Sequence, residues 1–259
     1  MRAAAAVKTA MPLANVLPLH VRSTLREVPR GVPARSTQKS REACLLFGLR
    51  ADAISDVARV VTRTRMGKGE TLYRAGDRFS MLHAIRLGSF KTVVLTNDGQ
   101  AQVTGYHMPG EILGSEGIGY GVQGCEAVAL EDAEVWSIAF RRLEEFARFE
   151  EGVQQNLHRI LAREIARERT VVMMLGTMSA EQRVARFLLD LSQRYKTLGY
   201  SSSEFVLRMT REEIGSYLGL NLETVSRLLS RLQREGVIQV QGRVVKLLDM
   251  LTLKRLVER

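Results

Sequence analysis

The chain has 259 residues, of which 45% are hydrophobic, 25% charged and 6% aromatic, as expected of a globular protein. No apolar run approaches the roughly 18–20 residues that a membrane-crossing helix needs, which excludes a helical span. Two cysteines, Cys44 and Cys125, are too few for a disulfide framework or a four-cysteine metal site, so the chain reads as reduced and cytoplasmic.

The formal charge of +10 is unevenly spread: +7 on residues 1–41, −2 on residues 42–175 and +5 on residues 176–259. Residues 1–41 combine Ala3–Ala6 with scattered Pro12, Pro18, Pro29 and Pro33 and show no sustained apolar period. This segment reads as a disordered basic extension. Early Arg and Ala with no acid before Glu27 also resemble an organelle transit peptide. A basic arm touching DNA is a third reading, and a solvated tail is the plainest.

Residues 42–150 read as one β domain. Twelve of the 21 glycines fall between Gly67 and Gly124, separating short β-type runs at Met81–Leu87, Phe90–Thr96 and Gln100–His107. Gln100, Gln102 and Thr104 alternate with Ala101, Val103 and Gly105, the period of a half-buried strand. Asn97-Asp98-Gly99 predicts a hairpin turn, because these residues tolerate positive φ. Short strands at such spacing predict a small antiparallel barrel or jelly roll. His83 and His107 lack the close His–His–carboxylate spacing of a barrel metalloenzyme and read as ordinary strand residues. No phosphate-binding glycine loop and no nucleophile elbow occur, so the chain is not read as an enzyme.

Residues 151–176 predict a long helix of about 35 Å. Val153, Leu157, Ile160, Leu161, Ile165, Val171, Val172 and Leu175 form an apolar stripe that needs a covering surface, either the barrel or a partner helix. A two-fold dimer through Leu157, Leu161, Ile165, Glu168, Val172 and Leu175 is the favoured reading. Glu164 and Glu168 interrupt the stripe. Either both flank it and stay solvated, or they meet across the dimer and make dimerisation conditional, since unpaired buried carboxylates are costly.

Residues 177–259 carry the most informative pattern. Ser179-Ala-Glu-Gln182 is a capping box, and Val184, Phe187, Leu188, Leu191 and Tyr195 follow on one helical face. Thr210-Arg-Glu-Glu213 is a second capping box that opens a short helix through Leu218. Gly215 leaves room for a neighbouring helix, Gly219 suits a helix C-terminus, and Asn221 caps a helix from Leu222. In that helix Val225, Leu228, Leu229 and Leu232 share a core face, whereas Glu223, Ser226, Arg227 and Ser230 share another. An exposed acid, hydroxyl and arginine near a helix N-terminus suit base edges in a major groove: arginine bridges guanine O6 and N7, and glutamate accepts from the cytosine amino group. Arg231 and Arg234 are placed for phosphates, and Thr210, Arg211, Asn221 and Thr224 complete the expected contact set. Val237–Val240 and Arg243–Leu247 around Gln241-Gly242 predict a hairpin wing. The bland alternative makes Glu223, Arg227 and Arg231 solvated helix charges in i,i+4 pairs. The caps, the glycine turn and the wing favour DNA binding.

The stretch Met209–Leu232, MTREEIGSYLGLNLETVSRLLSRL, resembles the helix-turn-helix of the Crp/Fnr transcription regulators. Lys68-Gly-Glu-Thr-Leu-Tyr-Arg-Ala-Gly-Asp77 and Gly105-Tyr-His-Met-Pro-Gly-Glu-Ile-Leu-Gly114 are similar to that family's effector barrel, so the resemblance covers about residues 42–248. It implies an α+β chain with an N-terminal antiparallel β-roll of the cyclic-nucleotide-binding jelly-roll type, a long dimerisation helix and a C-terminal winged helix-turn-helix. It further implies a homodimer on palindromic double-stranded DNA that recruits RNA polymerase.

Glu223-x-x-Ser226-Arg227 matches the Fnr branch, which implies a site like TTGAT-N4-ATCAA and a role in oxygen-limited or redox-related gene control. Cyclic-AMP binding is not expected, because Ser115 follows Gly114 where that branch has Glu, and Gln123-Gly124 replace its Arg-Ser pair. An iron–sulfur cluster is not expected either. Cys44 resembles the last N-terminal ligand, but Arg35, Gln38 and Trp136 occupy the other ligand positions and Cys125 lies elsewhere. The chain is similar in this to FixK-type regulators. Cys44 and Cys125 are candidate redox thiols, with a buried inert thiol as the alternative. A second functional reading is a sensor whose barrel binds haem or another small molecule.

Overall fold

The computed structural model describes residues 61–96 and 99–258, all within one compact unit, Arg35–Arg259. The basic extension, Arg35, Gln38, Cys44 and the Asn97-Asp98 turn lie outside the described residues.

Eight strands form the barrel: β1 (Val61–Met66), β2 (Thr71–Tyr73), β3 (Met81–Leu87), β4 (Phe90–Leu95), β5 (Ala101–His107), β6 (Ile112–Leu113), β7 (Glu126–Ala129) and β8 (Ala133–Ala139). They pair antiparallel in two four-stranded sheets, ordered β1-β8-β3-β6 and β2-β7-β4-β5. Tyr73, Ile85, Phe90, Leu113, Ala127 and Val135 pack together as one of the barrel's apolar clusters. β4 and β5 pair from Phe90 opposite His107 to Leu95 opposite Ala101. Along β5 the expected alternation appears, with Val103 buried and Gln102 and Thr104 exposed. A single helical turn, α1 (Gly117–Tyr120), bridges β6 and β7.

Two helices follow. α2 (Phe140–Phe149) was not anticipated from the sequence, although Phe140, Leu143, Phe146 and Ala147 recur at helical spacing and all pack on the barrel. α3 (Glu151–Thr177) is 27 residues long and has two working faces. On one, Val153, Leu157 and Ile160 join the barrel cluster of Leu82, Trp136 and Ile138, and Val171 and Met174 pack on the C-terminal core. On the other, Leu161, Ile165, Glu168, Val172 and Leu175 recur at alternating spacings of four and three, with Ile165 52% and Val172 70% exposed. Leu157, half-buried, lies on the barrel-facing side of α3.

The C-terminal region comprises α4 (Ala180–Thr197), β9 (Glu204–Val206), α5 (Arg211–Leu218), α6 (Leu222–Arg234), β10 (Ile238–Gln241), β11 (Val244–Leu247) and α7 (Met250–Glu258). β10 and β11 form the expected wing hairpin, and β9 adds a third strand in the order β10-β11-β9. Leu188, Ile214, Leu218, Val225, Leu232 and Leu253 make the core, which continues into Val103, Tyr106 and Met108 of the barrel. No described helix is long and apolar enough to cross a membrane.

Candidate nucleic-acid interface

The two helices that present the candidate site are set by local chemistry. Thr210 Oγ1 accepts from Glu213 N at 3.1 Å, and Glu213 Oε2 accepts from Thr210 N at 2.6 Å, which satisfies two orphan donors at the start of α5. Gly219 ends that helix at φ +63°, in the region only glycine enters without strain. Gly215 is required for closeness, because a Cβ there would lie 2.6 Å from Leu220 O. The chain then turns, and Asn221 Oδ1 accepts from Thr224 N at 2.8 Å to start α6.

α6 has one buried and one open side. Val225, Leu229 and Leu232 are buried, and removal of each from water stabilises the fold by about 1.5–3 kcal/mol. The opposite side forms a groove lined by Thr224, Ser226, Arg227, Ser230, Arg231 and Arg234 together with Leu228, which the sequence places on the core face and which is half-buried between the two. Glu223 is exposed at its N-terminal end. Among the described residues Glu223 and Arg234 have no hydrogen-bonding or ion-pairing partner, so both are free to meet a ligand.

Four residues of the set are held in two pairs. Arg211 Nη1 donates to Ser226 Oγ at 3.2 Å, which occupies a lone pair of the hydroxyl and leaves its O–H for an acceptor outside. Arg227 Nη2 donates to Thr224 Oγ1 at 3.3 Å. Arg231 is more engaged than expected for a phosphate contact: its Nε donates to Glu235 at 2.7 Å and its Nη1 to Glu181 of α4 at 3.4 Å. The bland reading holds for Arg231, whose bond to Glu235 is an i,i+4 pair, whereas Glu223 and Arg227 do not pair.

α5 is docked on the barrel. Lys91 Nζ donates to Glu213 Oε1 at 2.6 Å, Val103 N to Ser216 Oγ at 2.8 Å, and Gln102 Nε2 to Ser216 O. Burial raises the Glu213 carboxyl, but Lys91 and the Thr210 amide outweigh it and hold the group below the usual carboxylate range. Sequence reading assigned Glu213 only its capping role.

A second ionic junction escaped sequence reading. Glu111, in the loop after β5, accepts from Arg167 of α3 at 2.8 Å, from Arg194 of α4 at 2.9 Å on both oxygens, and from Met108 N at 3.1 Å. Arg194 also donates to Tyr106 O at 2.7 Å and lies 5.2 Å from the Tyr106 ring centre. Arg167 Nη1 donates to Glu164 at 3.2 Å, so Glu164 belongs to the barrel side of α3, whereas Glu168 is on the exposed seam. Burial, then Arg167 and Arg194, hold the His107 imidazole well below its ordinary value.

In the barrel Cys125 is buried and donates to Glu116 Oε1 at 3.1 Å, and the same oxygen accepts from Tyr73 Oη at 3.0 Å. Burial, reinforced by Glu116, pushes the thiol up, away from thiolate chemistry. Gln123 is buried beside Gly114, and Trp136 is buried with its Nε1 donating to Glu134 at 3.1 Å. Among the described residues no His, Cys, Asp and Glu cluster could hold a metal ion.

Residues 182–256 match the Crp-like helix-turn-helix domain, and residues 63–148 match the cyclic nucleotide-binding domain. The chain is 46% identical over 215 residues to the transcriptional regulatory protein Btr of Bordetella pertussis, covering 83% of this chain and 89% of that protein. It is 38% identical over 211 residues to the transcriptional activator protein FnrA of Stutzerimonas stutzeri, covering 81% and 86%. Its fold is similar to that of FixK2 from Bradyrhizobium japonicum, with a TM-score of 0.69 at 30% identity over 76% of this chain and 97% of that one. Btr and FnrA are both named as transcription regulators. With a helix-turn-helix whose second helix has one buried and one open side, a wing and an effector-type barrel on one chain, the protein is a DNA-binding transcription regulator of the Crp/Fnr family.

Proposed function

We propose that the protein acts in the cytoplasm as a homodimeric activator that reads a TTGAT-N4-ATCAA-like palindrome and recruits RNA polymerase in oxygen-limited or redox-related gene control. The observation that carries this reading is the outer side of α6, where Glu223, Ser226 and Arg227 lie on the face opposite the buried Val225, Leu229 and Leu232. Each good base contact is worth about 1–3 kcal/mol of discrimination. Arg234 and the wing residues Arg243 and Lys246 add charge suited to phosphates, which contributes affinity without sequence. The seam of half-buried Leu161 and exposed Ile165, Val172 and Leu175, with Glu168 among them, supports dimerisation, since such apolar exposure is costly in water. The activator name of FnrA supports the sign of regulation.

In this reading neither cyclic AMP nor an iron–sulfur cluster sets activity. The position that asks for a phosphate-binding arginine holds the buried amide of Gln123, and a cluster-ligand position holds the buried indole of Trp136. A second reading, a regulator whose barrel takes a small molecule or haem, draws on one observation: Gln123 Oε1 is buried without a hydrogen-bond partner. Native mass spectrometry and absorbance of the purified protein separate the two. Titration of the palindrome and of a duplex with both half-sites scrambled, at one stated salt concentration, tests the main reading. Equal affinity for the two duplexes would sink it.

A further inference from the structure

The first turn of α4 does more than start a helix. Arg183 sits there and sends its guanidinium into the ends of two other helices. Its Nη2 donates to Leu175 O at 2.8 Å and its Nε to Met178 O at 3.0 Å, both at the C-terminus of α3. Its Nη1 donates to Leu218 O at 3.0 Å, at the C-terminus of α5. Carbonyls in a last helical turn have no partner inside their helix, and the helix dipole favours a cation there. Three of the five donors of one rigid fork are thus used on backbone acceptors of two elements.

The surroundings are fitted to this arrangement. A Cβ on Gly219 would stand 3.3 Å from Arg183 Nη1 and 3.3 Å from Leu175 Cδ2. The same turn of α4 also holds Glu181, which accepts from Arg231 of α6 at 3.4 Å. One end of the Arg183 bridge is Leu175, on the exposed seam of α3. The other is Leu218, three residues before the Asn221 cap of α6.

We infer that Arg183 is a positioning residue for half-site spacing: by tying the end of α3 to the end of α5 it sets the angle between the dimer seam and α6. This rests on the palindrome-reading dimer proposed above. Two half-sites one helical turn apart place each reading helix about 17 Å from the two-fold axis. Angular play at the junction would swing α6 relative to the dimer seam and detune that separation. A point charge on a flexible stem cannot hold three carbonyls at fixed angles as the fork does.

The test compares the full-length wild type with Arg183→Met and Arg183→Lys on a single half-site duplex and on palindromes with spacers of three, four and five base pairs. Wild type is expected to lose about tenfold or more when the spacer changes by one base pair. Arg183→Met is expected to lose most on the four-base-pair spacer, flattening that preference to about threefold or less while half-site affinity stays within about twofold. Arg183→Lys should fall between the two. If Arg183→Met does not fold, as judged by circular dichroism, Arg183→Lys decides by its spacer profile alone. A profile in the folded variant as sharp as wild type, or a uniform loss on every duplex including the half-site, overturns the inference and leaves the palindrome reading standing. A wild type indifferent to half-sites and spacer overturns both.

Discussion

Replacing Glu111 by Gln removes the one carboxylate between Arg167 and Arg194 while keeping the side-chain shape. Each guanidinium–carboxylate pair is worth about 4 kcal/mol in gross Coulomb terms at 4 Å and an effective dielectric of about 20. Desolvation offsets much of that while the network is intact. Once the carboxylate is gone the offset disappears, because two cations stay enclosed with neutral acceptors, Tyr106 O and His107 Nδ1 among them, and with Glu164 and Asp190 at 3.2 and 3.4 Å as the carboxylates still beside them. Breaking a buried pair by removing one partner costs about 3–5 kcal/mol. The side chains of Arg194, Glu111 and Arg167 are 16%, 20% and 27% exposed, which places the loss near the low end, about 3 kcal/mol. At about 2–4 °C per kcal/mol for a chain of this size, Glu111→Gln should lower the melting temperature by roughly 6–12 °C. The assay is thermal unfolding at neutral pH and fixed protomer concentration. Adding Arg194→Met to Glu111→Gln should recover part of the loss, with a coupling of about 1 kcal/mol or more. A melting temperature within about 2 °C of wild type, or strictly additive losses, would refute the reasoning.

Three further outcomes follow from the same structure. His83, pushed down to about 4 by burial, and His107, held well below its ordinary value by burial and two arginines, stay neutral in the folded chain. The unfolded chain takes up these protons below about pH 6.5, so stability falls as pH drops from 7.5 to 5.5, by about 1 kcal/mol for His83 alone, with His107 adding in the same direction. His83→Gln/His107→Gln should flatten that slope in denaturant titrations, and an unchanged slope would contradict the assignment. On the exposed seam of α3, Val172→Glu should shift sedimentation toward monomer and weaken palindrome binding without lowering helicity. Glu168→Ala tests whether the seam carboxylate makes dimerisation conditional, and an unchanged equilibrium would rule that out. In a Cys44→Ser background the Cys125 thiol should react with a disulfide reagent far more slowly in the folded than in the unfolded chain; equal rates would make it a redox candidate again.

The parts of the molecule that were legible in the sequence are those whose partners lie within a few residues. Thr210 and Glu213, or Ser179 and Gln182, sit three apart and announce a helix start by themselves. The buried and open faces of α6 follow from one periodicity, because a single layer of core covers it. α3 was less readable, since it serves the barrel on one side and exposes a second apolar seam on the other. A single stripe drawn through both does not separate the barrel contacts of Leu157 from the seam, nor Glu164 from Glu168. α2 and α7 carried usable signals, the Phe140–Phe146 spacing and the Asp249–Thr252 cap, in which Thr252 N donates to Asp249 Oδ1 at 2.9 Å. The Glu111 junction was not readable. Its arginines come from distant elements, Arg194 being 83 residues away in sequence, and nothing local distinguishes them from surface charges. Arg183 was hidden for a different reason: its acceptors are backbone carbonyls, which every residue has.

The central claim is that Glu223, Ser226 and Arg227 read base edges. Its most direct test replaces each base pair of one half-site in turn, in both copies of the palindrome, and measures wild type and Glu223→Ala on every duplex at one salt concentration. Wild type should lose about 1–3 kcal/mol per half-site at each read position. Glu223→Ala should lose that penalty at one symmetric pair of positions only, while keeping the rest of the profile and its weak affinity for random duplex. An unaltered profile in Glu223→Ala, or a uniform weakening on every duplex, would contradict base reading by this face of α6.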